Sequence, residues 1–161
     1  MFRKFLKMLH EVGAVGVMGS IASCMVLVAT APAQSLVEFA VLRQAIVQIE
    51  QWMFLPSLIL VLTSGLLAIA VNEAYINSAW PWFKALLGLS MFEGSLLTVS
   101  SRAREAAELS ALAVRGQGNP VQLAEALRSE WGGLWIISAL ALANVVLAVW
   151  RPRSVAPRSE T

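Results

Sequence analysis

Residues 51–72 read QWMFLPSLILVLTSGLLAIAVN and carry no charged side chain between Glu50 and Glu73. A helix rises about 1.5 Å per residue, so about 20 apolar residues cross a hydrocarbon core about 30 Å thick. This stretch therefore reads as a membrane span. Working outward, residues 12–37 (VGAVGVMGSIASCMVLVATAPAQSLV) are uncharged between Glu11 and Glu38, and residues 131–150 are uncharged between Glu130 and Arg151. A shorter candidate, 85–101, lies between Lys84 and Arg102 and contains Glu93; reading back to Pro81 lengthens it to a full span. Spans are accordingly placed near 8–31, 52–72, 81–101 and 131–150. The expected fold is an all-α integral membrane four-helix bundle over residues 1–150, followed by a disordered basic tail at 151–161.

Composition points the same way. The 161 residues are 58% hydrophobic and 14% charged, with a mean hydropathy of +0.70. Soluble domains run about 45–50% apolar and about 25% charged. A soluble globular domain, a disordered chain and a nucleic-acid arm are excluded on that basis. There is one Cys (Cys24), one His (His10) and no Asp. A disulfide framework, a zinc finger, a Cys/His metal cluster and a Ser-His-Asp triad are excluded too.

The tryptophans mark boundaries. Trp52 opens the second span, Trp80 and Trp82 the third, Trp131 and Trp135 the fourth, and Trp150 closes it. Indole rings favour the headgroup level, apolar on one side and wet on the other. A rival reading makes the N-terminus a secretory signal, with Arg3, Lys4 and Lys7 as its basic region and Ala31-Pro32-Ala33 as its cleavage site. The apolar run is longer than the usual 7–15 residues of such a signal, so a span is preferred. Orientation follows Lys and Arg counts. Arg3, Lys4, Lys7, Lys84, Arg151, Arg153 and Arg158 lie on one side, against Arg43, Arg102, Arg104, Arg115 and Arg128 on the other. Seven against five puts both termini in the cytoplasm.

Three segments extend the spans on the far side. Residues 34–50 contain no Gly or Pro and read as an N-terminal extension of the second span or as an interfacial helix, and 102–115 (RAREAAELSALAVR) is a strong helix former in which Arg104 and Glu108 can pair. Gly116-Gln117-Gly118 breaks that helix; Asn119 as N-cap, Pro120 at the first position and Gln122 at capping-box spacing restart it. These extensions should form a small helical head opposite the termini. It either lengthens the bundle or docks a partner subunit.

Ionisable groups inside a membrane usually face the bundle interior or a cavity. His10 and Glu11 lie near the start of the first span and Lys84 near the start of the third. Those two spans run parallel, so the three groups share a depth. Glu93 lies 12 residues beyond Pro81, about 18 Å along the helix and near mid-bilayer, among small Ser90, Gly94 and Ser95. It is expected to hydrogen-bond another helix or to face a ligand, water or proton path. Gly13, Gly16, Gly19, Ser20 and Cys24 offer a face on which a second helix can approach closely. Pro56 should loosen the second span.

Three stretches together carry a resemblance: FLKMLHEVGAVGVMGS with His10, FLPSLILVLTSGLLAI with Pro56, and WPWFKALLGL with Lys84. Over about residues 5–100 the chain resembles a bacterial superfamily of small polytopic membrane proteins. That superfamily includes the copper-resistance D type, the HemJ-type protoporphyrinogen oxidases and integral membrane proteins of unknown function. The resemblance implies a bacterial cytoplasmic (inner) membrane location and a cofactor-binding redox role. His10 would ligate b-type haem, and Lys84 would be a second ligand or a propionate partner. The family usually carries further His residues; with one His here, bis-His ligation within one chain is excluded. The alternative is a non-catalytic accessory or scaffold subunit of a larger membrane complex, touching lipid and either other membrane subunits or copies of itself. A proton-coupled transporter built on Glu93 is a third reading.

Overall fold

The computed structural model describes residues 1–32 and 34–149. Ala33 of the cleavage motif, Trp150 and the 151–161 tail lie outside the described residues. The N-terminal apolar stretch forms one helix, α1 (Phe2–Ala29). Ser35 caps α2 (Leu36–Ile49), its Oγ accepting from the Glu38 N–H at 3.3 Å. Helix α2 continues without a break through a π-helical turn (Glu50–Phe54) into α3 (Leu55–Ala70). Pro56, which has no N–H to donate into that turn, sits just beyond it. After the short α4 (Glu73–Ile76) comes α5 (Ala79–Gly94), a second π-helical turn (Ser95–Ser100) and α6 (Ser101–Val114). Here the hydroxyls of Ser95, Thr98 and Ser101 donate back to the carbonyls of Phe92, Gly94 and Leu97. Such back-bonding competes with the regular ladder and bends a helix. Gly116, at φ +74°, ends the segment in a conformation that suits glycine. Asn119 Oδ1 then accepts from the N–H groups of Val121 and Gln122 and starts α7 (Pro120–Val149).

The protein is all-helical, with no strand among the described residues. Three helical rods are long and apolar enough to cross a membrane: Phe2–Ala29, Leu36–Ala70 and Pro120–Val149. Four spans were expected from the sequence. The segment at 81–101 is helical, but it carries Lys84 and Glu93 and does not join that class.

Contacts fix the layout. Helix α1 packs antiparallel on α3: Arg3 Nη2 donates to the Val71 carbonyl at 3.2 Å at one end, and Gly13 and Gly16 meet Ser57 and Val61 further along. Gly88 of α5 lies over Leu62 of α3, Gly94 over Ile137 of α7, and Gly133 of α7 over Val99. Ser138 of α7 closes the ring onto α1 through a 3.4 Å contact with Met25 Sδ. Val17, Ile21, Leu58, Met91, Leu134 and Ile137 fill the centre, whereas Val15, Val26, Leu86, Leu97, Ile136 and Leu142 point outward. At the far end α2, α6 and the first turns of α7 pack together through Ile46, Val47, Ala103, Ala106 and Ala126. Alanine lets these backbones approach closely. The expected Arg104–Glu108 pair does not form; an exposed Arg102–Glu105 pair at 2.6 Å takes its place.

The glycine stripe of α1 divides in two. A Cβ at Gly16 would sit 2.2 Å from Ser57 Oγ, and one at Gly13 would sit 2.8 Å from Val61 Cγ2, so both positions require glycine. Gly19, expected on the same face, has nothing within 4 Å of a Cβ. Overpacking a tight contact costs about 1–3 kcal/mol. Gly16→Leu should therefore destabilise the detergent-solubilised protein by that amount, while Gly19→Leu stays within about 0.5 kcal/mol. Thermal unfolding of the two variants checks it; equal effects would contradict the assigned α1–α3 contact.

Candidate functional site

His10 is half-buried where α1 crosses α3. Its Nδ1 lies 3.1 Å from the Val61 carbonyl oxygen and 3.3 Å from Ser64 Oγ. The Ser64 hydroxyl already donates to the Leu60 carbonyl at 2.6 Å. A carbonyl only accepts, so the proton of this contact belongs to Nδ1. In the neutral ring Nε2 then carries the free lone pair. Gly65 lies beside the ring; a Cβ there would come 3.5 Å from Cε1, an ordinary contact.

Glu11 is exposed and Lys84 half-buried. They lie within electrostatic reach of each other but form no ion pair among the described residues. Glu93 points outward: it is exposed on the outer side of α5, near exposed Leu86, Leu89 and Leu97. Of the expected small neighbours, Ser90 is exposed as Glu93 is, whereas Ser95 is buried and Gly94 lies against Ile137. The interhelical partner expected for Glu93 is therefore not found within the described chain.

The most buried charges are ones that sequence position alone assigns to loops and span flanks. Arg43 of α2 and Glu130 of α7 are 1% and 0% exposed. One guanidinium nitrogen, Nη2, donates to both carboxylate oxygens at 2.7 and 2.6 Å. The ring of Phe39 lies 5.7 Å from the guanidinium carbon, a cation–π distance. Glu50, one helical heptad beyond Arg43, is 3% exposed, and neither of its carboxyl oxygens has a hydrogen-bond partner. Arg43 Nε and Ser100 Oγ are also buried without partners. A void of about 10 Å³, room for about one water centre, lies beside Glu50. Ser20, Ile21, Cys24, Phe54, Val99, Leu134 and Ile137 complete its lining. The sequence did hold a signal for this cluster: Arg43, Ile46, Val47 and Glu50 share one helical face, as do Glu130, Leu134 and Ile137. Counting charges as loop residues hid it.

No family model, no curated protein and no solved structure matches this chain.

Removing one partner of a buried ion pair leaves an uncompensated charge and costs about 3–5 kcal/mol, whereas replacing both partners with apolar groups is often neutral. Arg43→Met and Glu130→Leu should each destabilise by that amount, and the double variant by much less than their sum. Arg102 and Glu105 are 45% and 44% exposed, and breaking their pair should cost under about 1 kcal/mol. A double-mutant cycle on unfolding midpoints reads both; additivity at Arg43 and Glu130 would contradict the pair.

Proposed function

We propose that the chain is a four-span integral protein of the bacterial cytoplasmic membrane, both termini cytoplasmic, that binds b-type haem through His10. The reading follows the resemblance to copper-resistance D and HemJ-type proteins. The observation that carries it is the Nδ1 contact with the Val61 carbonyl. Ligating histidines are commonly held through the second ring nitrogen by a backbone carbonyl, which fixes the tautomer and aims Nε2 at the metal. Lys84, in electrostatic reach of Glu11, is the nearby cation suited to a propionate. At the end of the ring that holds His10, the buried side chains come from α1 and α3 (Leu6, Ser64 and Ile69), whereas α5 buries Met91 alone among Ala79–Gly94 and α7, over its described residues, buries nothing beyond Ala141. Bound haem would supply one-electron chemistry.

Four spans are supported by the way the α5 segment completes a ring with the three apolar rods. Exposed Trp52 and Trp135 at the head end, and exposed Trp82 at the other, suit two headgroup belts. The Trp82 indole donates to the Ile76 carbonyl at 3.1 Å.

The test is an absorption spectrum of protein purified in detergent. A Soret band is expected, lost in His10→Ala and retained in Glu93→Gln; colourless protein after growth with haem precursor would overturn the reading.

A second reading, an accessory or scaffold subunit, is favoured by the outward carboxyl of Glu93 amid apolar side chains. An ionisable group facing lipid is costly, and a neighbouring subunit would cover it. Colourless protein that co-purifies stoichiometrically with other membrane subunits, and loses them in Glu93→Leu, decides for that reading.

A further inference from the structure

Glu50 opens the first π-helical turn and lies at the junction between the head and the ring. π turns of this kind recur at functional sites. The charged and titratable groups that face Glu50 are Cys24 from α1, Arg43 from α2, Arg104 from α6 and Glu130 from α7. None of them holds its carboxyl. Arg43 Nη2 is committed to both oxygens of Glu130, and Arg104 lies exposed. The nearby Ser20 hydroxyl donates to the Gly16 carbonyl of its own helix at 2.7 Å. A carboxylate at this position has no hydrogen bonds, shares Arg43 with Glu130 and finds its other counter-charge, Arg104, out in solvent, whereas a neutral carboxylic acid does not need the counter-charge. Two carboxyls beside one guanidinium also resist ionising together.

We propose that Glu50 is a proton-binding site: its carboxyl is stored as the neutral acid inside the junction, and release of the proton sets a second carboxylate in competition with Glu130 for Arg43. The released proton goes to bulk water. The ligand is the proton alone, and the site works whether or not His10 carries a cofactor. Glu50 is thereby a group that reports pH to the contact between α2 and α7, because that contact depends on Arg43.

Infrared spectroscopy of the full-length protein tests it. At neutral pH the wild type should show a protonated-carboxyl C=O band, and Glu50→Gln should lose one carboxyl's share of it. The side chains are isosteric, so Gln mimics the neutral acid. Stability gives a second readout. The folded state keeps a proton that an unfolded Glu, with a pKa of about 4.3, has released, so stability falls as pH rises above that value. The wild-type unfolding midpoint should therefore drop from neutral to alkaline pH relative to Glu50→Gln, with Cys24→Ala in both proteins to remove the thiol that Glu50 faces. An unchanged band in Glu50→Gln, or parallel pH profiles, overturns the proposal. Should Glu50→Gln fail to fold, the Glu93→Gln protein keeps the test open. Its band must be present at neutral pH and disappear reversibly on raising the pH, and its absence at neutral pH overturns the proposal equally.

Discussion

Everything in this fold depends on where its polar groups are allowed to be. Leucine, valine and tryptophan point out along the rods, while an arginine, two glutamates and several serines are turned in. Water would penalise that outer surface, and only a solvent as apolar as the side chains accepts it. In such a solvent each backbone group must be bonded within its own segment, so helices are the permitted element here. Hydrophobic burial between helices then contributes little, and close backbone contact and internal polar pairs hold the rods together. Gly13 and Gly16 provide the first, and Arg43 with Glu130 the second.

The two π-helical turns belong to the same arrangement. Each stands where a rod passes from ring to head, and Phe54 of the first and Val99 of the second line the same void. One added residue in a turn shifts the phase of the next helical residues by about 100°. The head segments can thereby present a different face inward from the one their continuing rods present. Glu50 at the start of one turn and Ser100 at the end of the other carry buried polar atoms without partners. Among the described residues these are the two side chains left wholly without partners in burial, and both sit at the irregular turns; Arg43 Nε is unpaired too, but its Nη2 is held by Glu130.

The long apolar runs were legible because about 20 uncharged residues have few alternative explanations. The helical head was legible as well. Gly116 and Asn119 act by local chemistry, which a sequence carries in full. The buried cluster was not, because the two partners of its ion pair are 87 residues apart and pairing at that distance is a property of packing. Orientation around a helix was read only partly: Gly16 faces α3 as the spacing suggested, whereas Gly19 and Glu93 face outward. Three-residue and four-residue spacings drift around a 3.6-residue helix, so a small-residue run marks a face only once its partner is known. The segment at 81–101, expected as the third span, stands outside the class of the three apolar rods, since Lys84 and Glu93 dilute its hydropathy.

The outward apolar side chains of the rods call for lipid around most of the chain, and fractionation of expressing cells tests that placement. The protein should remain in the membrane pellet through alkaline and high-salt washes and come out only with detergent. Recovery as a compact monomer in detergent-free buffer would contradict the placement of every outward apolar side chain on the rods.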